Sequence, residues 1–255
     1  MNKLFDKFSL VLNYIGGLAE LACQTIVYSL TPPFNVRRFS YQSKRIGIDS
    51  LPIVSIVALF TGMILAFQTT YLLKKLSSEI YIANIVALSL VRELGPVFTA
   101  LVVAGRVGAS ITAEIGTMTV TEQVDALRTL AANPVRYLVV PRFSGMFFML
   151  PLLAVYTDFI GILGGYLICV YRLGVGSSMY VQMTFESLVI KDLFSGLLKS
   201  AIFGIIIALI SCYEGLRTSG GAEGVGRATT ISVVTSFILI IASDCVLTAL
   251  FYFIF

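Results

Sequence analysis

The chain has 255 residues, 57% of them hydrophobic and 13% charged, with a formal net charge of +4 and a mean hydropathy of +0.92. Soluble domains carry about 25% charged residues, so a chain this apolar has more apolar surface than one globular core can hide, and it belongs in a bilayer. Lys and Arg are spread among the connections and form no long block, which sets nucleic acid aside as a partner and leaves the charge to be read as topology.

There is no histidine, so the commonest metal ligand and the commonest neutral-pH base are both missing, and neither a metal site nor a catalytic residue is expected. Cys23, Cys169, Cys212 and Cys245 lie in apolar stretches without a C-x-x-C pair, which argues against a disulfide framework or a thiolate metal site.

In chain order, the first 30 residues place Leu4, Phe8, Leu12, Ile15, Ala19, Ala22 and Ile26 on one helical face, and Asp6, Asn13, Gly17, Glu20 and Gln24 on another. This predicts an amphipathic helix lying in the membrane interface. A cleaved signal ending at Cys23 is disfavoured, because Asn13, Gly16, Gly17 and Glu20 interrupt its apolar region. Pro32-Pro33 ends the helix, and Arg37, Arg38, Lys44 and Arg45 follow as a basic connector. Residues 1–48 thus read as one unit, ahead of a transmembrane domain over 49–255.

Spans of about 20 apolar residues are needed to cross about 30 Å of hydrocarbon. Five are expected: Leu51 to Leu73, Ile82 to about Met118, Tyr137 to Tyr171, Leu193 to Tyr213 and Ile231 to Phe255. The third is too long for one straight crossing, so tilt, a kink near Pro151 or projection beyond the lipid is expected. With the N-terminus inside, cytoplasmic segments hold Lys3, Lys7, Arg37, Arg38, Lys44, Arg45, Arg128, Arg136, Arg142, Arg217 and Arg227. Outer segments hold only Lys74, Lys75, Arg172 and Lys191, so the positive-inside bias puts the C-terminus outside.

Thr119 to Asn133 is the most polar helix candidate, with Thr119 and Glu122 at capping-box spacing and Pro134 beyond its end. Val124, Leu127 and Leu130 can form an apolar edge beside Glu122, Asp125 and Arg128, as a helix docking into a partner's groove requires. A solvated connector is the plainer reading, but connectors in helix bundles usually run about 2 to 8 residues.

Ionisable groups within spans are costly and call for partners. Arg92 and Glu93 sit just before Leu94-Gly95-Pro96, where the proline favours a kink. Lys199 and Asp244 are lone charges in apolar surroundings, and each other or the Arg92-Glu93 pair are their expected partners. A network that only sets helix register and a role in transport both fit these four residues. Small residues at four-residue spacing (Gly196, Ser200, Gly204 and Ala208; Ala104 and Gly108; Gly161 and Gly165) read as packing faces. Gly221 and Gly226 have P-loop spacing, but Arg227-Ala228 replaces the Lys-Ser/Thr pair and an apolar span precedes them in place of a strand. The glycines of 215–230 therefore read as a cytoplasmic turn, not a nucleotide site.

Several blocks resemble the MlaE permease family of lipid ABC transporters. They are Arg92 to Val97 (RELGPV), Ala104 to Gly108 (AGRVG), Ala113 to Met118 (AEIGTM), Thr121 to Leu127 (TEQVDAL), Pro134, Pro141-Arg142, Gly224 to Thr230 (GVGRATT) and Asp244 to Leu250 (DCVLTAL). The likeness covers nearly everything after about residue 45. It implies a homodimeric permease in the inner membrane of a diderm bacterium. The implied partners are a cytoplasmic ABC ATPase, a periplasmic MCE-domain protein and, in some systems, a STAS-domain subunit. The implied substrate is lipid, usually phospholipid moved between inner and outer membranes, with ATP and Mg on the ATPase and no cofactor on this chain. It further implies that Thr119, Glu122, Asp125, Leu127 and Arg128 lie on the coupling helix received by the ATPase. Arg92, Glu93, Lys199 and Asp244 then lie near the transport path.

The expected fold is an all-α integral membrane protein with an N-terminal interfacial amphipathic helix, five transmembrane helices and a cytoplasmic coupling helix. Leu65, Phe67 and Phe237 are the expected lipid-tail contacts, from amphipathic position. An ion-coupled secondary transporter using Glu93, Lys199 and Asp244 as a proton relay is one alternative, weakened by the lack of an inverted repeat. A non-transporting membrane scaffold is another. The topology predicts that a single cysteine at Ser219, in an otherwise cysteine-free chain, reacts with a membrane-impermeant maleimide only from the cytoplasmic side. Labelling from outside reverses the assignment.

Overall fold

The computed structural model describes residues 2–32, 35–74 and 81–254. Pro33, Lys75 and Phe255, named above, lie outside the described residues, as do the side chains of Lys3, Leu4, Asp6, Lys7, Phe8 and Lys74. The described residues are helical and include no strand. Five helical stretches are long and apolar enough to cross a membrane: Val36–Leu73, Ile82–Val120, Val135–Tyr171, Ile190–Leu216 and Gly221–Phe253. The protein is an all-α membrane protein.

Helix α1 (Asn2–Leu30) leaves Leu12, Ile15, Ile26, Val27 and Leu30 more than half exposed, an apolar face that water would penalise and an interface would cover. Leu21 and Thr25 are buried instead, and Gly17 lies so close to Tyr213 that an added Cβ would meet its ring and hydroxyl. The basic connector is itself a helix, α2 (Val36–Ile46). Asn35 starts it: its side-chain oxygen accepts from the Arg38 N–H at 3.2 Å, a helix cap that follows directly after the Pro-Pro stop. A 3₁₀ turn at Ile48–Ser50 leads into α3 (Leu51–Lys74).

Helix α4 (Ile82–Val120) contains two π turns, Leu90–Leu94 and Ala104–Gly108. Proline chemistry accounts for the first. Pro96 has no N–H for the Arg92 carbonyl and its ring would crowd that oxygen, so the turn widens and the Gly95 N–H bonds the Leu90 carbonyl five residues back. Helix α5 (Gln123–Thr129) is short. Helix α6 (Val135–Tyr171) opens on a third π turn, Val135–Val139, just ahead of Pro141, and carries Pro151 inside its α-helical part. Its 37 residues amount to about 55 Å of helix, well beyond the hydrocarbon thickness.

Helix α7 (Ser177–Ser187), α8 (Ile190–Leu216) and α9 (Gly221–Ile254) complete the order. The glycine-rich stretch is a turn only over residues 217–220. Gly220 and Gly221 take φ of +88° and +68°, while Gly224, Gly226 and Arg227 already belong to α9, so the helix starts ten residues before the expected span.

The chain forms two compact units, each drawn from three stretches. The first comprises Met1–Lys44, Ala104–Met146 and Ile205–Leu239, and the second Arg45–Val103, Phe147–Gly204 and Ile240–Phe255. In the first, Tyr14 and Tyr213 meet edge to face at 5.2 Å and the Tyr14 hydroxyl donates to Glu214 at 2.7 Å. Burial and the Glu214 carboxylate push the Tyr14 phenol above its ordinary value, so it remains a donor. Thr112 and Ser232, both fully buried, stand 2.8 Å apart and join α4 to α9. In the second unit the core gathers Ala66, Ile82, Val86, Leu90, Cys169 and Tyr180. The glycine stripes are packing faces here: Gly62 lies against the Gly161 carbonyl, Gly164 against that of Leu59 and Gly196 against that of Val91. Such approach replaces the hydrophobic drive that lipid does not supply.

Gly62→Val is therefore expected to lower the protein's unfolding free energy in detergent by about 1–3 kcal/mol or more, since its neighbour is backbone and cannot swing aside. Gly16→Ala, with nothing within 4 Å of the new methyl, should leave stability unchanged or raise it by up to about 1 kcal/mol. Thermal melts of both variants read the contrast.

Candidate functional site

The second unit holds a charge cluster on α4, α8 and α9. Lys199, 1% exposed, donates to Glu93 Oε2 at 2.5 Å and to Thr248 Oγ1 at 2.7 Å, and its Nζ lies 3.0 Å from Asp244 Oδ1. Two of the ammonium's N–H groups are thus taken by hydrogen bonds, and Asp244 adds an ion-pair partner. The expected partners of Lys199 and Asp244 are thus the observed ones. Arg92, on the same π turn as Glu93, turns instead to Asp192, with Nε donating to Oδ1 at 2.6 Å. The Asp192 carboxylate also accepts from the Val189 N–H at 3.2 Å, closing the first turn of α8.

Arg92, Glu93, Asp192, Lys199 and Thr248 line a cavity of about 590 Å³ together with Phe251 and Tyr252. The lining is thus both ionic and aromatic. The widened turn at Leu90–Leu94 brings Arg92 and Glu93 to this cavity. Burial is uneven: the Glu93 and Asp244 side chains keep 39% and 21% of their exposure, so the cluster has one closed side at Lys199 and one open side at the carboxylates.

Three members of the surroundings were not singled out by sequence. Asp192 sits at a helix start and resembles an ordinary N-terminal acid, and Thr248 is a common residue in a span. Asp158 had the signal that exposed Asp244, a lone acid in an apolar run. It is 8% exposed, its Oδ1 has no hydrogen-bond partner among the described residues, and it fills the space an added Cβ on Gly95 would need.

The lipid-tail candidates are divided between the two units. Leu65 packs against the core of the second unit. Phe67, 52% exposed, lines an open apolar groove on α3 with Ile64, Tyr71 and Leu72. Phe237 belongs to the first unit, where its ring tip is 3.9 Å from the position of a Cβ on Gly105.

The segment 119–133, also in the first unit, is less helical than its composition indicates. Thr119 lies in the last turn of α4 and caps nothing: its hydroxyl is taken by the Ile115 and Gly215 carbonyls at 2.9 and 3.1 Å. Glu122 precedes α5 with φ of +60° and no side-chain cap, and Ala131 follows it with φ of +57°. A seven-residue helix is thus bracketed by two left-handed residues. Val124 is buried at 3% while Leu130 is 78% exposed, which splits the expected apolar edge. Leu127 is half-buried, and Glu122, Asp125 and Arg128 stay exposed, the last two paired at 2.9 Å. Close by in sequence, Glu114 pairs with the buried Arg142 at 2.9 Å, whose Nη1 donates to the Leu138 carbonyl at 2.7 Å.

An all-helical chain with five apolar spans, a buried charge cluster and an exposed polar elbow is the layout of a transport subunit, and known proteins agree. The chain is 48% identical to a probable ABC transporter permease protein of Rickettsia prowazekii, covering 96% of this chain and 94% of the relative. It is 40% identical to a probable ABC transporter permease protein of Synechocystis, over 91% of this chain and 88% of that one. A third, from Porphyra purpurea, is 40% identical over 80% of this chain and 78% of its own length. The class is that of ABC transporter permeases, a transport subunit and not itself an enzyme. Residues 39–250 match the family described as Permease MlaE, and the chain belongs to that family. Membership of an ABC system implies an ATPase partner and replaces the ion-coupled alternative.

Lys199→Met strands two carboxylates, so it should destabilise the purified protein by about 3–5 kcal/mol. Arg92→Gln, at a side chain 51% exposed, should cost about 1 kcal/mol or less. Equal losses in chemical denaturation would contradict this ranking.

Proposed function

We propose that this chain is the permease subunit of an ATP-driven lipid transporter that moves phospholipid between the inner and outer membranes of a diderm bacterium. The observation that carries the reading is the cavity at Lys199, lined by both ionic and aromatic residues, in a chain of the MlaE permease family. A phospholipid has both characters, a charged headgroup beside apolar chains. In this reading the exposed guanidinium of Arg92 offers donors to the headgroup phosphate, while Lys199 and Thr248 hold the Glu93 carboxylate in place to answer a cationic headgroup. Phe251 and Tyr252 meet the first methylenes.

The chain works as a homodimer in the inner membrane, with its N-terminus cytoplasmic and its C-terminus periplasmic. Support for a second copy comes from α9. Only 11% of its most apolar window is buried, against 56% in α8, so α9 needs a cover of lipid or protein. ATP and Mg belong to the partner ATPase, which receives the elbow at Glu122, Asp125, Leu127 and Arg128. A periplasmic MCE-domain protein takes or delivers the lipid, and a STAS-domain subunit completes some assemblies. The short α5, held at both ends by left-handed residues, is a rigid knuckle suited to passing a push from the ATPase into α4 and α6.

The test is the purified complex with its ATPase, assayed for ATP hydrolysis and for transfer of labelled phospholipid. Glu122→Lys with Asp125→Lys should lower both about tenfold or more, as reversing charges across a docking surface costs several kcal/mol. Glu93→Gln with Asp244→Asn should lower transfer while hydrolysis continues. Full transfer in both variants would sink the reading and favour a non-transporting scaffold.

A further inference from the structure

Within the first unit two adjoining cavities of about 460 and 550 Å³ open beside α2, sharing Asn35, Arg38, Tyr137 and Pro141. Cations dominate their walls. Arg37, Arg38 and Arg136 line them, while among the described residues the one carboxylate is Glu114, already held by Arg142. The Arg38 guanidinium carbon lies over the Tyr137 ring, 3.2 Å from its centroid, a contact that steadies the group and leaves its N–H groups for an anion. Arg136 is steadied by donating from Nη2 to the Thr31 carbonyl at 3.2 Å.

Two buried polar atoms in this cleft are open. Among the described residues, Arg142, 3% exposed, has no hydrogen-bond partner for Nε, and Gln42, 7% exposed, has none for Oε1. The cleft lining therefore carries an unused buried donor and acceptor beside three cations that no carboxylate pairs among the described residues. Val36 on α2 and Ile26, Val27 and Leu30 on α1, each within two residues along the chain of a lining residue, are more than half exposed, an aliphatic rim that water does not favour and acyl chains do.

We propose that this cleft seats the headgroup of an anionic phospholipid of the surrounding bilayer, its phosphate on Arg37, Arg38 and Arg136 and a headgroup hydroxyl on Gln42. The lipid is a resident one with an anchoring role. The inference rests on the chain being a membrane protein and not on what the transporter carries. Basic residues near a bilayer surface attract anionic lipid by about 1 kcal/mol each. The aliphatic rim favours lipid over an acidic protein segment, which would present polar flanks.

The chain has no tryptophan, so Tyr41→Trp, at the cavity rim, supplies a single indole reporter in the full-length protein. The protein is reconstituted in vesicles of brominated phosphatidylcholine with rising fractions of unbrominated phosphatidylglycerol. Fluorescence should recover at phosphatidylglycerol fractions about fivefold lower than simple dilution of bromine requires. Arg38→Gln with Arg136→Gln, added to the reporter, should abolish that preference. Equal quenching of both reporters in pure brominated phosphatidylcholine checks that the fold is kept. Excess inorganic phosphate should leave the preference intact, and its loss would assign the cleft to a free anion and overturn the lipid. Absence of preference, or its survival in the double substitution, overturns the proposal. So does an indole that brominated lipid never quenches, which places a protein segment there. No lipid transfer is read, so failure here leaves the transport reading standing.

Discussion

Hydrocarbon offers a polar atom nothing to bond to, so each polar group placed within a span must find its partner inside the protein. The hydroxyls follow the simplest route: Thr70 donates to the Ala66 carbonyl at 2.6 Å, Thr157 to that of Leu153 at 2.9 Å and Ser144 to that of Val140 at 2.9 Å. Charges need more. Lys199 meets the requirement with three oxygens from two other helices, and Arg142 with Glu114 and a carbonyl. Because the partners come from distant parts of the chain, meeting the demand of one ammonium fixes α4, α8 and α9 against one another within the second unit. The same economy that keeps the fold in one arrangement also gathers the ionic lining of the cavity.

Much of this was legible in the residues, for physical reasons that differ by element. The five spans follow from hydropathy, since length and apolarity alone decide what can cross. The pairing of Lys199 with Glu93 and Asp244 follows from the cost of leaving any of them alone. Helix α2 was hidden because Arg37, Arg38, Lys44 and Arg45 read as solvated charge, whereas Asn35 caps them into a helix. Helix α7 was hidden because its anchor is the burial of Tyr180, which packs on Tyr166 at 5.5 Å between ring centres, a tertiary contact with no periodic trace. The early start of α9 was masked by its glycines. Glu223 in its first turn suits the positive end of a helix dipole, and the long apolar helix downstream carries the glycines with it.

The site was legible in its charges and not in their geometry. Arg92 and Glu93 are sequence neighbours with separate partners, because the π turn fans them toward Asp192 and Lys199 respectively. The capping-box spacing at Thr119 and Glu122 misled for a related reason. In a continuing helix a threonine hydroxyl turns back to the carbonyl four residues earlier, and here Ile115 and Gly215 claim it before any cap can form. Spacing identifies which groups are available, and competition among acceptors decides where they go.

The three π turns have a consequence for chain length. A π turn is an α turn that has taken in one extra residue. Losing one residue from Leu90–Leu94, Ala104–Gly108 or Val135–Val139 lets the helix close to regular α geometry, with every later side chain keeping its heading. Losing one residue from the α-helical parts rotates everything downstream by about 100° and carries buried faces into lipid. The long spans thus contain three places where a residue can come or go without rewriting the faces beyond it, two of them beside a proline that makes the wide turn the comfortable state.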